Sequence, residues 1–471
     1  MRYAKYKKSG ISWLPEVPEG WEVRRLKVLF SQRKERNDPV QTANILSLTA
    51  AQGVVPISEK IGAGGNKPKD DLAQYDLAYP GDLVLNCMNV VSGSVGVSNY
   101  FGAISPVYYA LVAKSFVDVF YYNNIFQTTL FQRSLLPLGK GILMHESSTG
   151  KLNTVRLRIS MNALGGVKLP FPPLSEQKGI AAYLDEKCGK VDALVAAKER
   201  QVKLLKELRE RVIADAVMGK ISPTQGAENA ENETSRTSRT RMLAHPSGSA
   251  SPNLPSEAEL LRRISREKTK PSGVFWQPMM PAHWVVRKLK YVLSKLRRER
   301  YPDAELLVCT NKGKVIKRGE SKMGLVSDDI SIYQGVKQGD LLIHGMDTWH
   351  GAVAVSDDDG MCTPVVHVCD SRDDKRFIAY YLRNMARGRV FKLISNGVRQ
   401  NTSDFRSWEK LAAIPIILPP LSEQKEIVEY IERKTAKIDE LAQKLEDEVK
   451  KLKEFRERLV ADVVTGQRKV V

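Results

Sequence analysis

The tract Pro172-Pro173-Leu174-Ser175-Glu176-Gln177-Lys178 recurs letter for letter as Pro419-Pro420-Leu421-Ser422-Glu423-Gln424-Lys425. Each copy opens a long charged stretch of helical periodicity, which closes on Gly219 in the first copy and Gly466 in the second. The shift is the same 247 positions at the opening prolines and at the closing glycines. The two stretches therefore align without a gap. A duplication of this length decides the architecture before any single motif is weighed. The chain reads as two copies of one module, each a globular part followed by a long helix.

A second correspondence lies upstream. Trp21-Glu22-Val23-Arg24-Arg25-Leu26-Lys27 returns as Trp284-Val285-Val286-Arg287-Lys288-Leu289-Lys290, with Pro18 and Pro281 at the same distance before it. This shift is 263 positions, so the second globular part is shorter by 16 residues. Between the anchors only landmarks persist: Gly81-Asp82-Leu83 against Gly339-Asp340-Leu341, and Ser105-Pro106-Val107 against Thr363-Pro364-Val365. One fold with two different ligands would diverge in this way. Short apolar or β-branched runs bounded by Gly, Asn, Ser and Asp predict strands at Leu83–Leu85, Val95–Val97, Val107–Val112, Leu341–Ile343 and Ala352–Val355. Helices are expected over Tyr121–Leu136 and Lys375–Lys392. The fold class is α+β: two mixed α/β domains and two long helices.

In the long helices Ser175 and Ser422 stand where N-caps belong, and Glu176 and Glu423 suit the positive helix end. Apolar residues then step by fours and threes. The first seam is Ile180, Leu184, Val191, Leu194, Leu205, Leu208 and Val212. The second is Ile427, Ile431, Ile438, Leu441, Leu445, Leu452, Phe455 and Leu459. Lys187, Lys198, Gln201, Lys434 and Glu448 interrupt them, either as solvated edge positions or as register and docking points. Gly219 and Gly466 suit C-caps. About 40 residues give rods of roughly 60 Å. Neither stripe is satisfied alone, which predicts that the rods pack on each other.

The boundaries read as a first globular domain at 1–171 with lead-in 1–20, a helix at 172–220 and a polar linker at 221–270. A second domain follows at 271–418 and a second helix at 419–471. Ser222–Ser256 is rich in Ser, Thr, Asn, Gly and Pro, and Glu257–Lys268 suits a short helix. The balance of 73 Lys and Arg against 54 Asp and Glu leaves +19. That surplus favours a polyanionic partner. Five cysteines without a C-x-x-C pair suit a reducing compartment. The most apolar stretch, Leu411–Leu421, is too short for a membrane span and is broken by Pro415, Pro419 and Pro420. A soluble cytoplasmic protein is expected.

These anchors resemble the specificity subunits of type I restriction–modification systems. Ser12-Trp13-Leu14-Pro15-Glu16-Val17-Pro18 leading into Trp21, both Pro-Pro-Leu-Ser-Glu-Gln tracts, and the endings Val217–Ile221 and Val464–Gly466 carry the likeness over nearly the whole chain. The linker is longer and more polar than in that pattern. The resemblance implies two target recognition domains separated by an antiparallel coiled coil with an internal pseudo-two-fold repeat. It implies no catalysis in this chain. Its partners would be double-stranded DNA, two methyltransferase subunits using S-adenosylmethionine, and restriction subunits using ATP and Mg; adenine would be the base modified. Unlike domains imply unlike half-sites, by the symmetry that gives symmetric dimers palindromic ones.

Candidates for DNA contact are cations and amides in loops, since Arg and Lys serve phosphates and guanines and Asn and Gln serve adenines. In the first domain they are Lys60, Lys67, Lys69, Lys140, His145, Lys151 and Arg156. In the second they are Lys312, Lys314, Lys317, Arg318, Lys322, Arg399, Gln400 and Asn401. Any one of them also reads as a solvated surface charge. Two other patterns carry less. Pro302-Asp303 with Glu320-Ser321-Lys322 fits a loose metal-nuclease spacing, but such spacings arise by chance in a charged chain. His344, His350, Cys362, His367 and Cys369 lack zinc-ligand spacing and suit core or loop positions. A nuclease with its own metal site and an architectural coiled-coil protein binding DNA without sequence preference are the competing readings.

Overall fold

A computed structural model of the chain describes residues 2–49, 52–61, 71–142, 156–221, 268–301, 304–321, 330–395 and 404–470. The linker Ser222–Ser256 and the expected helix before Lys268 lie outside them. The chain divides into two compact units, Met1–Arg200 with Leu445–Val471, and Gln201–Lys444. Each unit therefore takes one globular part, the opening of the helix that follows it, and the closing stretch of the other copy's helix.

In the first unit the strands are β1 (Tyr6–Ile11), β2 (Leu14–Pro18), β3 (Glu22–Arg25), β4 (Phe30–Gln32), β5 (Leu46–Thr49), β6 (Gly53–Pro56), β7 (Asp76–Ala78), β8 (Leu83–Asn86), β9 (Val95–Val97), β10 (Gly102–Ile104), β11 (Tyr108–Ala113), β12 (Lys140–Ile142), β13 (Arg156–Arg158) and β14 (Lys168–Phe171). Its helices are α1 (Leu26–Leu29), α2 (Val119–Phe126), α3 (Thr129–Leu135), α4 (Met161–Gly165) and the opening of α5 (Leu174–Val217). An antiparallel sheet in the order β4-β11-β8-β9 forms the centre. All of β8 is buried, and its alternate residues serve different cores. Leu83 and Leu85 face the helices, while Val84 packs with Leu46, Leu48 and Ile104 beneath the β5·β6 hairpin. That is the two-residue period of a strand buried on both faces.

The second unit repeats this plan. Its strands are β15 (Thr269–Pro271), β16 (Met279–Pro281), β17 (Val285–Lys288), β18 (Leu293–Lys295), β19 (Leu307–Cys309), β20 (Val315–Lys317), β21 (Gln334–Val336), β22 (Leu341–His344), β23 (Val353–Val355), β24 (Gly360–Cys362), β25 (Val366–Ser371) and β26 (Pro415–Leu418). Its helices are α6 (Arg318–Ser321), α7 (Lys375–Arg387), α8 (Val390–Ile394), α9 (Trp408–Ala412) and the opening of α10 (Leu421–Val464). The sheet order β18-β25-β22-β23 matches the first, and β17·β26 matches β3·β14. Leu341 and Ile343 face the helical core and Leu342 the hairpin side. The expected helix over Tyr121–Leu136 is two, because Thr128 bonds the Phe131 amide and starts a new one.

Each long helix has 44 residues, on the order of 66 Å. Within each unit the two helical stretches run antiparallel. Arg456 meets Asp192 at 2.7 Å in the first unit, and Arg209 meets Asp439 at 2.9 Å in the second. These are corresponding residues of the two repeats.

The seam needs correction. The residues turned inward in α5 are Leu184, Cys188, Val191, Val195, Lys198, Val202, Leu205, Arg209, Val212 and Ala216, an unbroken alternation of fours and threes. The same positions in α10 are Ile431, Thr435, Ile438, Ala442, Leu445, Val449, Leu452, Arg456, Leu459 and Val463. Leu194, Leu441 and Phe455, expected in the seam, are 46%, 47% and 51% exposed. Counting leucines misled, because Cys, Val, Ala, Thr and even Lys198 keep the period better. Lys198 reaches Glu448 at 2.6 Å, so the seam lysine is paired with a carboxylate flanking the seam of the other helix. Val195→Ser is expected to cost about 2 kcal/mol and Leu194→Ser less than about 0.5 kcal/mol, compared through urea midpoints at constant slope.

The serine caps are also corrected. Both helices begin at the leucine, so Ser175 and Ser422 sit within the first turn. The carbonyl of Pro173 accepts from Gln177 N at 3.0 Å, and that of Pro420 from Gln424 N at 3.0 Å. The closing glycines do serve as C-caps. Gly219 and Gly466 have φ of +69° and +74°, and Lys220 N returns to Asp215 O at 2.9 Å, as in a left-handed helix termination.

Candidate functional site

The repeated letters hold the frame from which the candidate loops leave. Gln177 is fully buried; its amide donates to Pro172 O at 2.8 Å and its carbonyl accepts from Asp118 N, the cap of α2, at 2.8 Å. Gln424 does the same with Pro419 O at 2.9 Å and Asp374 N, the cap of α7, at 2.8 Å. Glu176 accepts from Trp21 Nε1 at 3.0 Å, and Glu423 from Trp284 Nε1 at 3.1 Å. One helix start thereby fixes both the lead-in tryptophan and a second helix. A buried side-chain amide with all its partners specifies a single arrangement, since losing any partner is costly.

The Gly-Asp-Leu landmark is a second fixed point. Gly81 and Gly339 take φ of +89° and +85°, and the aspartate after each is buried. Arg33 grips Asp82 with Nε at 2.7 Å and Nη2 at 2.9 Å. Arg298 grips Asp340 through both terminal nitrogens. The same carboxylates accept from Tyr79 N at 2.9 Å and Lys337 N at 2.8 Å. The aspartates were visible as repeated letters, whereas the arginines carried no signal, because their distances from the tryptophans differ.

The candidates fall at matching points of the two frames. Lys67 and Lys69 belong to the connection 62–70 between β6 and β7, and Lys322 to the connection 322–329 between α6 and β21. Those three lie outside the described residues. So do His145 and Lys151, between β12 and β13, and Arg399, Gln400 and Asn401, between α8 and α9. The latter two connections both lead into the short helix preceding β14 or β26. That helix is capped by Ser160 in one unit and Ser407 in the other. Arg156 begins β13.

The described candidates separate further. Lys60 closes the turn Ile57–Glu59 and is half-buried. Lys140 is exposed in β12 opposite Arg158. Lys317 pairs with Glu305 at 2.9 Å, and Arg318 starts α6. Lys312 and Lys314 are exposed in the turn between β19 and β20.

The histidines and cysteines do not gather. Among the described residues no group of three potential ligands could hold a metal ion. All five cysteines are buried and free. His367 is buried in β25 with Nε2 2.7 Å from Phe405 O, and burial holds its pKa below the ordinary imidazole range. Tyr109 of β11 makes the corresponding contact, donating to Ile159 O at 3.3 Å. Each therefore anchors the backbone just after a candidate loop. Asp303 and Lys322 of the nuclease spacing lie outside the described residues. No described helix is long and apolar enough to cross a membrane.

The architecture is that of a duplicated α+β module, each copy joined to a long helix. Residues 281–451 match the family described as type I restriction modification DNA specificity domain. The chain is 22% identical over 412 residues to the type I restriction enzyme StySPI specificity subunit of Salmonella potsdam, covering 85% of this chain and 77% of that one. To the EcoDI specificity subunit of Escherichia coli it is 22% identical over 304 residues, covering 64% and 62%. A solved chain, described under "Structural basis underlying complex assembly and conformational transition of the type I R-M system", shares the fold. Its TM-score is 0.61 at 14% identity over 95% of this chain and 98% of that one. The family match lies in the second repeat, and over most of its length the chain is similar to type I restriction–modification specificity subunits.

Proposed function

We propose that this chain supplies DNA sequence specificity to a type I restriction–modification complex, each globular domain reading one half of an asymmetric bipartite site. The observation that carries the reading is a frame duplicated residue for residue, with unlike sequences in the connections that leave it at the same points. A frame kept in both copies fits a constant docking geometry, and divergent polar loops fit two different base sequences. The long helices set the spacing between the half-sites and offer docking surface to two methyltransferase subunits. The bond chemistry belongs to the partners, with S-adenosylmethionine in the modification subunits and ATP and Mg in the restriction subunits. The setting is the cytoplasm. The match to a specificity domain lends no support to a nuclease within this chain.

The test is methylation sequencing of a host carrying this chain with its partners. One bipartite asymmetric motif, methylated on adenine, is expected. Exchanging residues 62–70 and 143–155 for the corresponding segments of another specificity subunit should change one half-site and spare the other. Changes in both halves, or in neither, would refute domain-by-domain reading.

A further inference from the structure

The turn between β19 and β20 carries more positive charge than the fold uses. Thr310 closes it, with its amide and its hydroxyl both donating to Lys314 O at 2.9 Å. Gly313 sits at φ +71°. The guanidinium of Arg383, from α7, lies against the turn and donates to Lys312 O at 2.9 Å. A Cβ on Gly313 would stand 2.2 Å from Arg383 Cζ, so the guanidinium lies directly over the glycine. Among the described residues no carboxylate forms an ion pair with Lys312, Lys314 or Arg383. Neighbouring cations are engaged: Lys317 with Glu305, Lys375 with Asp370, Arg376 with Glu432 and Arg387 with Glu210.

An arginine with five donors and, among the described residues, one carbonyl partner, partly withdrawn from water, is an expensive way to brace a turn. Burial and the nearby Arg209 both lower its pKa, so the charge is carried against its surroundings. A glutamine would hold the same carbonyl at less cost. At the matching helix position the first unit has an uncharged amide, aimed at a different carbonyl. Nine residues after the Asp118 cap stands Gln127, which donates to Val95 O at 2.8 Å; nine after the Asp374 cap stands Arg383. The first unit's hairpin turn, from Thr49 to Gly53, has no lysine, and Gln52 is occupied by Glu59 O at 3.3 Å and Ile61 N at 2.9 Å.

We infer that Lys312, Lys314 and Arg383 form a clamp for the phosphate backbone of duplex DNA, peculiar to the second unit. The inference rests on the DNA-recognition reading above and deepens it by separating positioning contacts from base contacts. A planar guanidinium takes a phosphate through two hydrogen bonds, and two mobile ammonium groups beside it follow the strand as point charges. Such a clamp adds affinity on any sequence and no discrimination.

The test measures binding of the full chain to two duplexes of equal length, one carrying the site read from the methylation pattern and one lacking it, from low to moderate salt. Lys312→Gln with Lys314→Gln changes only exposed side chains. It should weaken both duplexes on the order of tenfold, leave their ratio unchanged, and flatten the dependence of log K on log salt by about 0.9 per lost contact. Arg383→Gln should flatten it further, and Arg383→Lys should retain part of the slope. An unaltered slope in the double-lysine variant overturns the clamp and leaves the specificity reading standing. A loss confined to the site-bearing duplex also overturns it, since these residues would then read bases. Wild-type protein that binds neither duplex overturns both.

Discussion

Gly466→Ala is expected to lower the unfolding free energy by about 2–5 kcal/mol, among the largest effects of any single methyl group in this chain. Two costs combine. The residue sits at φ +74°, where a side chain costs about 1–2 kcal/mol. The added carbon would also stand 2.5 Å from Pro18 Cδ and 3.1 Å from the Trp21 ring. Overpacking of that kind typically costs about 1–3 kcal/mol. Gly219→Ala should behave alike, since its Cβ would meet Pro281 at 2.7 Å and Trp284 at 3.0 Å. Gly81 provides the control: it has φ +89° with nothing within 4 Å, so Gly81→Ala should pay the backbone cost alone. Equal losses at Gly466 and Gly81 in chemical denaturation would show that the packing against Pro18 and Trp21 contributes nothing.

Asp340→Ala is expected to cost about 3 kcal/mol. The carboxylate is almost fully buried and accepts both the Arg298 fork and Lys337 N. Removing one member of such a pair typically costs about 3–5 kcal/mol, because the other is left uncompensated. The partly exposed Arg298 keeps the loss near the lower bound, since water screens it. Arg298→Met alone should be comparably damaging, while Arg298→Met with Asp340→Leu should recover much of the loss. A thermal-melting cycle over the four proteins checks this. Additive single losses would mean that the pair does not act as a unit.

How far these features were legible depends on the kind of interaction. Gln177 and Gln424 stood out as identical letters, because a buried amide with several partners leaves no freedom for substitution. The closing glycines were legible from their place after a helical pattern. The seam was legible in period but not in membership: Leu194 looked a better core residue than Val195 beside it, and only the partner helix decides between neighbours. Ser175 and Ser422 looked like caps, but the preceding prolines already start the helix. Arg33, Arg298 and Arg383 could not be found, because their partners lie across turns of unequal length. The candidate reading residues were located only as loops. Polar surface positions carry no packing period, so composition marks the region and leaves the individual contacts open.

The interleaving of the two helices with the two units bears on how the chain acquires its structure during synthesis. Leu459, Val460, Val463 and Val464 belong to the same core as Trp21, Tyr121 and Leu184. The part of this core built from Trp21, Tyr121 and Leu184 therefore cannot be closed until Leu459–Val464 have been synthesised. At roughly 5–20 residues per second, the 247 positions from Val217 to Val464 take roughly 12–50 s. For that interval the nascent first unit is a natural client for chaperones, and a chain terminated before Leu459 would leave that unit's core open.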